Sequence, residues 1–448
     1  MPPVLQYRDM STSHISTSGF SAVLAAMVAI AQVAAADIQS RIDACHAAGG
    51  GVVKVAAGRY ENVKPIVMKS NVELHLEEGA VIHASTNYCD YPYMPGQNRG
   101  AFISAVDATN ILVTGKGVLE CSGDRMPHVE KVPGRWRGIH FFRCRNLKLQ
   151  DFTLRNAHSW GCYVQECDGV EMRNLIVFNH ANYNNDGIDI ASRNVLVEDC
   201  DIDSEDDAIV FKNHNPEFSV ENVVVRRCRI SCNTSFIKLG TETRGYFRNI
   251  RVSDCELDCR APVRKRIPYP KEFGLTTSHT GSAGLAVYVI DGGFAEDIVF
   301  SDIRMKRGIM VPVCVRLDRR NPPPGCEPVP IRNKDGRLTC LRNVRFERVT
   351  MDEATTSWFP STVTGGNGLR PENIVFRDCR FTMKGCSDSA LATLPVPENN
   401  GRYPGVRMFG AVTPAYGLYV RHADNVILEN VRFDTVGTEV RRNVFRED

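Results

Sequence analysis

The feature that most restricts this chain is a nine-residue phrase that keeps returning. It reads NILVTGKGV at 110, NLKLQDFTL at 146, GVEMRNLIV at 169, NVLVEDCDI at 194, NVVVRRCRI at 222 and NIRVSDCEL at 249. It continues as DIVFSDIRM at 297, NVRFERVTM at 343, NIVFRDCRF at 373 and NVILENVRF at 425. Several successive starts lie roughly 23 to 28 residues apart, with longer gaps such as 249 to 297 and 373 to 425 that leave room for loops. A period of this size marks a solenoid, whose repeats bury their apolar faces only against their neighbours. Apolar and polar residues alternate inside each phrase, as in a strand with one buried face. Amphipathic helical periodicity is weak after residue 50, which argues against a βαβ fold or a barrel of alternating strands and helices. The chain therefore predicts an all-β parallel β-helix.

Two positions of the phrase carry physical meaning. The first is Asn in eight of the ten copies. Asn tolerates a tight bend, and its amide can bond to neighbours, so stacked copies predict an amide ladder. The position six residues on is Phe152, Leu175, Cys200, Cys228, Cys255, Ile303, Val349, Cys379 and Val431 in nine copies, and Lys116 in the first. Cys alternates here with plain hydrophobes, so these cysteines read as small core residues and as free thiols. Cys314, Cys326 and Cys340 read as loop cysteines with the option of disulfides.

Ahead of the repeats, DIQSRIDACHAA (37–48) spaces Ile38, Ile42 and Cys45 helically. Asp37 is the expected N-cap and Gly49 to Gly51 the stop, which predicts a short helix capping the first coil. A length of 448 residues would ordinarily suggest about three domains at ~150 residues each. Repetition replaces that estimate with one solenoid over 37–448. Residues 1–36 stand apart. Phe20 to Ala36 is apolar and ends in small residues. It reads either as a signal-peptide core, which implies a secreted or periplasmic protein, or as an Ala-rich helix covering the solenoid end. The net charge of +2 implies no pull toward nucleic acid or an anionic membrane. The longest basic run considered, Arg264-Lys265-Arg266, reads as a solvated turn. Stretches 86–105, 121–138, 260–283, 320–340 and 385–415 read as loops able to wall a groove.

The chemistry concentrates between Asn184 and Lys238. Aligned on their apolar ends, DGIDI (186–190) falls on DAIVF (207–211), and SFIKL (235–239) follows. Residues one coil apart would be ~4.8 Å apart, so Asp186, Asp207 and Ser235 stack and Asp206 lies one residue aside. Like charges this close cannot all ionise, so one carboxyl keeps its proton. A protonated and an ionised carboxyl form an acid–base pair for glycosidic cleavage, and a separation of about 6.5–9.5 Å would admit a water and predict inversion. Turn-forming Asp residues or Ca²⁺ ligands are the alternative readings of the same residues. Asn185, Lys212 and Ser235 are candidate sugar contacts beside the acids. Lys238, Arg316 and the pair Arg421 and His422 are candidate sugar or carboxylate contacts. Polysaccharide or oligosaccharide is the expected partner, and no cofactor or metal is called for.

The blocks IQSRIDACHAAGGGVVKVAAGRY (38–60), NNDGIDI (184–190), EDDAIVFK (205–212) and PAYGLYVRH (414–422) resemble the polygalacturonase family of pectin-directed glycoside hydrolases. The resemblance covers most of the chain. It implies a right-handed parallel β-helix and an inverting mechanism. It also implies Asp206 as the general acid, with Asp186 and Asp207 as the pair that activates water. The family's Gly-His-Gly place holds Thr234-Ser235-Phe236, and its Arg-Ile-Lys place holds Ala286-Val287-Tyr288. Lys238 is the candidate replacement for the missing charge. A different sugar in the subsite next to the acid would account for both departures. A Ca²⁺-dependent β-helix lyase and a non-catalytic sugar-binding solenoid are the competing readings.

Overall fold

The structure is a computed structural model. It describes residues 38–448 apart from 96, 98, 127–134, 261–280, 323–324, 328–331, 333–335, 353–358, 410–412 and 448. The expectations for residues 1–36, for the Asp37 cap and for Arg264 to Arg266 lie outside the described residues.

The alternating phrases form strands that pair in parallel, coil on coil, in a sheet of 22 strands and a sheet of 12. Three rows of inward side chains run the length of the stack. One row passes through Ile139, Cys162, Ile188, Ile209, Ile237, Leu285 and Val313. A second passes through Leu147, Val170, Val195, Val223, Ile250, Ile298, Val344 and Ile374. The third runs Leu154, Val177, Ile202, Ile230, Leu257, Met305, Met351 and Phe381. All of these residues are buried. The molecule is thus a right-handed parallel β-helix with three walls around one continuous core.

The leading Asn of the phrase turns the corner between the first and second rows. Asn110, Asn146, Asn194, Asn222 and Asn249 all have φ between 50° and 55°, a left-handed conformation that Asn tolerates. Their amides form the expected ladder. Asn110 donates to Asn71 at 2.8 Å, Asn146 to Asn110 at 2.6 Å, Asn222 to Asn194 at 2.9 Å and Asn249 to Asn222 at 2.8 Å. Lys116 is exposed because the first phrase carries one extra residue, Gly115 (φ +93°). That shift puts Gly117, not Lys116, in register with Phe152.

The helix Ile38–Ala47 buries Ile38 and Ile42 on the first coil, and Gln39 bonds both backbone groups of Val67. All 16 cysteines are free thiols. Cys314 is not a loop residue but lies buried in the strand Ile309–Leu317, and Cys340 begins the strand Cys340–Glu347. Strands begin inside expected loops at Ala101, Arg137 and Gly281, so those loops are shorter than read. No helix among the described residues is long and apolar enough to cross a membrane.

Candidate active site

Coil-on-coil register brings the acidic residues together. Ile188 pairs with Ile209 and Ile209 with Ile237, which sets Asp186, Asp207 and Ser235 in one line. Backbone bonds carry the line onward: Gly161 N donates to Asp186 O (2.8 Å), Gly187 N to Asp207 O (2.9 Å) and Ala208 N to Ser235 O (3.0 Å). Gly187 has to be glycine, because a Cβ there would stand 2.5 Å from the Ala208 carbonyl oxygen and 2.6 Å from Ile202 Cγ2. Two buried amides hold the turn that delivers Asp186. Asn179 Nδ2 donates to the Asp186 and Ser159 carbonyls at 2.8 and 2.9 Å. Asn185 Nδ2 donates to the Ala157 and Ser159 carbonyls at 2.8 and 2.7 Å.

Each carboxyl has a different environment. Asp207 accepts from Ser235 N (2.9 Å), the Thr234 hydroxyl (2.8 Å) and Lys238 Nζ (2.7 Å). Burial works against its charge, but the Lys238 ammonium and these hydrogen bonds outweigh it and hold Asp207 below the usual carboxylate range. Asp206 opens toward the cavity, with Thr234 Oγ1 2.7 Å from Oδ1 and the Asn184 amide donating to Oδ2 at 3.2 Å. Burial and the neighbouring Asp207 charge push it up. Asp186 is 2% exposed. Lys212 lies 2.8 Å from its Oδ2 and 2.7 Å from Asp189 Oδ1. Burial raises Asp186 well above its ordinary value, and the Asp189, Asp206 and Asp207 charges add to the rise against Lys212.

Thr234 makes the division between the two neighbours physical. A hydroxyl has one proton to donate, and this one sits within hydrogen-bond distance of an oxygen on each of Asp206 and Asp207. Asp207 stays ionised and accepts the hydrogen bond that the hydroxyl donates. A proton on Asp206 Oδ1 then points at the Thr234 oxygen. One ionised and one protonated carboxyl on adjacent residues is the state acid–base chemistry needs.

A cavity of about 510 Å³ opens over these groups. Of the residues named from the sequence, Asp186, Asp206, Asp207, Lys212, Ser235 and Lys238 line it. Four others do not. Asn185 is fully buried and its amide is committed to backbone, so its role is to hold the turn. Arg316 is buried against Asp318 (2.5 Å), the Gly365 carbonyl (2.6 Å) and Asn400. Arg421 pairs with Glu447 at 2.8 Å and caps the Val396 carbonyl. His422 faces Glu398. All three tie down the segment before the strand Ala415–Arg421 rather than facing sugar. Lys212 and Lys238, although they line the cavity, are each held against carboxylates.

The structure adds residues that the sequence did not single out. Arg99 and Arg135 come from the two loops before the strands Ala101–Val106 and Arg137–Phe142. Those loops are pinned together by Tyr91 stacked on Trp136, with ring centres 3.8 Å apart. Trp160 lies beside the acids with Lys212 Nζ 3.5 Å from its ring centre. Glu242 and Tyr288 line the far side, and Tyr403 closes it with its hydroxyl 3.1 Å from Lys238 Nζ. Among the described residues no group of three or more His, Cys, Asp or Glu is arranged to hold a metal ion.

The profile of glycosyl hydrolases family 28 matches residues 45–261, just under half of the chain and the part that carries all three aspartates. Over that stretch the chain is similar to this polygalacturonase-type family. It is 25% identical over 244 residues to a probable polygalacturonase of Vitis vinifera, a match covering 49% of this chain and 50% of that one. It is 23% identical to an endo-polygalacturonase of Pectobacterium parmentieri, over 50% of this chain and 62% of that one. It is 21% identical to a probable rhamnogalacturonase E of Aspergillus oryzae, over 45% of each. The chain thus spans about half the length of the first curated relatives it matches. Among solved structures, the chain superposes on the Yersinia enterocolitica family 28 exopolygalacturonase with a TM-score of 0.64 at 19% identity, covering 91% of this chain and 74% of that one. The Thermotoga maritima exopolygalacturonase gives 0.59 at 18%, covering 87% and 86%. These likenesses establish the β-helix; the chemistry has to be argued from the residues.

Proposed function

We propose that this protein is an inverting glycoside hydrolase that cleaves O-glycosidic bonds in pectic or related polysaccharides and oligosaccharides. Asp206 is the general acid that protonates the leaving oxygen. Asp186 and Asp207 are the pair that activates the attacking water, with Asp207 the member that carries the negative charge. The observation behind this reading is the Thr234 hydroxyl set between Asp206 and Asp207, with Lys238 on Asp207 alone. It gives the two neighbours opposite protonation states in a cavity large enough for sugar. Lys212 neutralises Asp186 and Asp189 together. The family 28 profile match and the polygalacturonases and rhamnogalacturonases among the relatives support the pectic class. A polymeric substrate calls for a secreted or periplasmic enzyme, and that location is part of the proposal.

The test is the configuration of the first product, followed by proton NMR during hydrolysis of a pectic oligosaccharide. The newly formed reducing end should appear first with the anomeric configuration opposite to that of the bond cleaved. Appearance with the same configuration would replace the base pair by a nucleophile, and an unsaturated product would move the chain to the lyases.

A further inference from the structure

Among the described residues four cations line the cavity, and three have duties. Lys212 lies between Asp186 and Asp189. Lys238 is held by Asp207 and Tyr403. Arg135, 2% exposed, donates through Nη2 to Asn184 Oδ1 at 2.7 Å and through Nη1 to the Tyr183 carbonyl. That bond turns the Asn184 amide nitrogen toward Asp206. Arg99 is different. It lines the same cavity, partly buried, and its guanidinium makes no hydrogen bond or ion pair among the described residues.

A half-buried guanidinium without a partner is a costly thing to fold. Its backbone is not free to swing it into solvent. Met94 N donates to the Arg99 carbonyl at 3.3 Å, Arg137 N donates to the Gly100 carbonyl at 3.1 Å, and a Cβ on Gly100 would strike the Pro92 carbonyl oxygen at 2.7 Å. The backbone at Arg99 and Gly100 is therefore tethered where it presents the cation to the cavity. Asp186 is the carboxylate that acts on it most strongly, but that group is already engaged with Lys212. A planar guanidinium with open donors matches a carboxylate in two parallel bonds. On the next coil, Ala286 and Val287 are fully buried apolar residues and Tyr288 is uncharged, and the cation beside them, Lys238, is already held by Asp207.

We infer that Arg99 binds the carboxylate of a uronic acid residue, seated on the Asp186 side of the acidic residues. This inference rests on the pectic reading above and names the sugar class for one subsite. Arg135 acts beside it as a positioning residue for Asn184.

The test is calorimetric binding in an Asp206→Asn background, which stops turnover, using a short oligogalacturonide and its carboxyl-reduced counterpart. The acidic ligand should bind about 10- to 100-fold more tightly than the reduced one. Adding Arg99→Gln should bring that ratio close to one, and Arg99→Lys should retain part of it. Equal binding of the two ligands to the parent protein overturns the inference, as does a ratio that survives Arg99→Gln. Turnover by the wild-type enzyme is scored separately. Hydrolysis of neutral oligosaccharides with no preference for acidic ones overturns the Arg99 subsite and keeps the hydrolase, whereas discrimination in binding with no glycoside cleaved keeps the subsite and rejects the hydrolase.

Discussion

Thr234 has one proton and two carboxyls within reach, and the pH dependence of the enzyme should follow from how it is shared. Asp207 sits below the usual carboxylate range, so activity falls on the acid side as pH drops through its pKa and the base is protonated. Asp206 sits above that range, so activity falls on the alkaline side as pH rises through its pKa and the acid loses its proton. A bell-shaped kcat/KM profile is expected, with its acid limb set by Asp207. Thr234→Val removes a hydrogen bond that favours the charged form of Asp207, so the acid limb should move to higher pH, and Thr234→Ser should restore it. An acid limb unmoved in Thr234→Val would show that the hydroxyl does not set the charge of Asp207.

At the scale of single elements, the corner ladder makes a stability prediction. Asn222 donates to Asn194 and accepts from Asn249, at φ 54°. Asn222→Ala loses both bonds, about 0.5–1.5 kcal/mol each, and adds a left-handed Ala at about 1–2 kcal/mol. Asn222→Gly loses only the bonds. Urea midpoints should therefore rank wild type above Gly and Gly above Ala; equal values for Gly and Ala would remove backbone strain from the account. The ladder was legible because it follows from a repeat within one wall. So was the stacking of Asp186 on Asp207, since apolar residues two places further on fix the register. The loops were not legible. Lys238 meets Tyr403 across 165 positions, and Arg99 reaches the site from a segment with no periodicity. Arg316, Arg421 and His422 misled for a related reason: their strands face the same way as the site strands, but the segment around Asn400 and Glu398 covers them. Asn185 misled because it adjoins Asp186, but its amide is spent on the Ala157 and Ser159 carbonyls, and Asn184 is the one that lines the cavity.

The whole molecule is a stack in which inward cysteines are one more kind of core residue. Cys200, Cys228 and Cys255 lie buried on successive coils, and the thiols are free throughout. In denaturant without reductant, all 16 thiols should react with a thiol reagent, whereas the folded protein should show chiefly the exposed Cys89 and Cys326. A shortfall in denaturant would mean disulfides and a different packing of those rows. The same stack delivers three aspartates from two coils to one cavity, where we propose that they hydrolyse a glycosidic bond. The most direct measurement is release of reducing ends from a panel of pectic polysaccharides by wild type and Asp206→Asn, with and without chelator, together with absorbance for unsaturated products. Reducing ends without that absorbance, indifferent to chelator and reduced about 10²- to 10⁴-fold in Asp206→Asn, are the predicted result. Unsaturated products that vanish with chelator, or release that Asp206→Asn leaves intact, would contradict it.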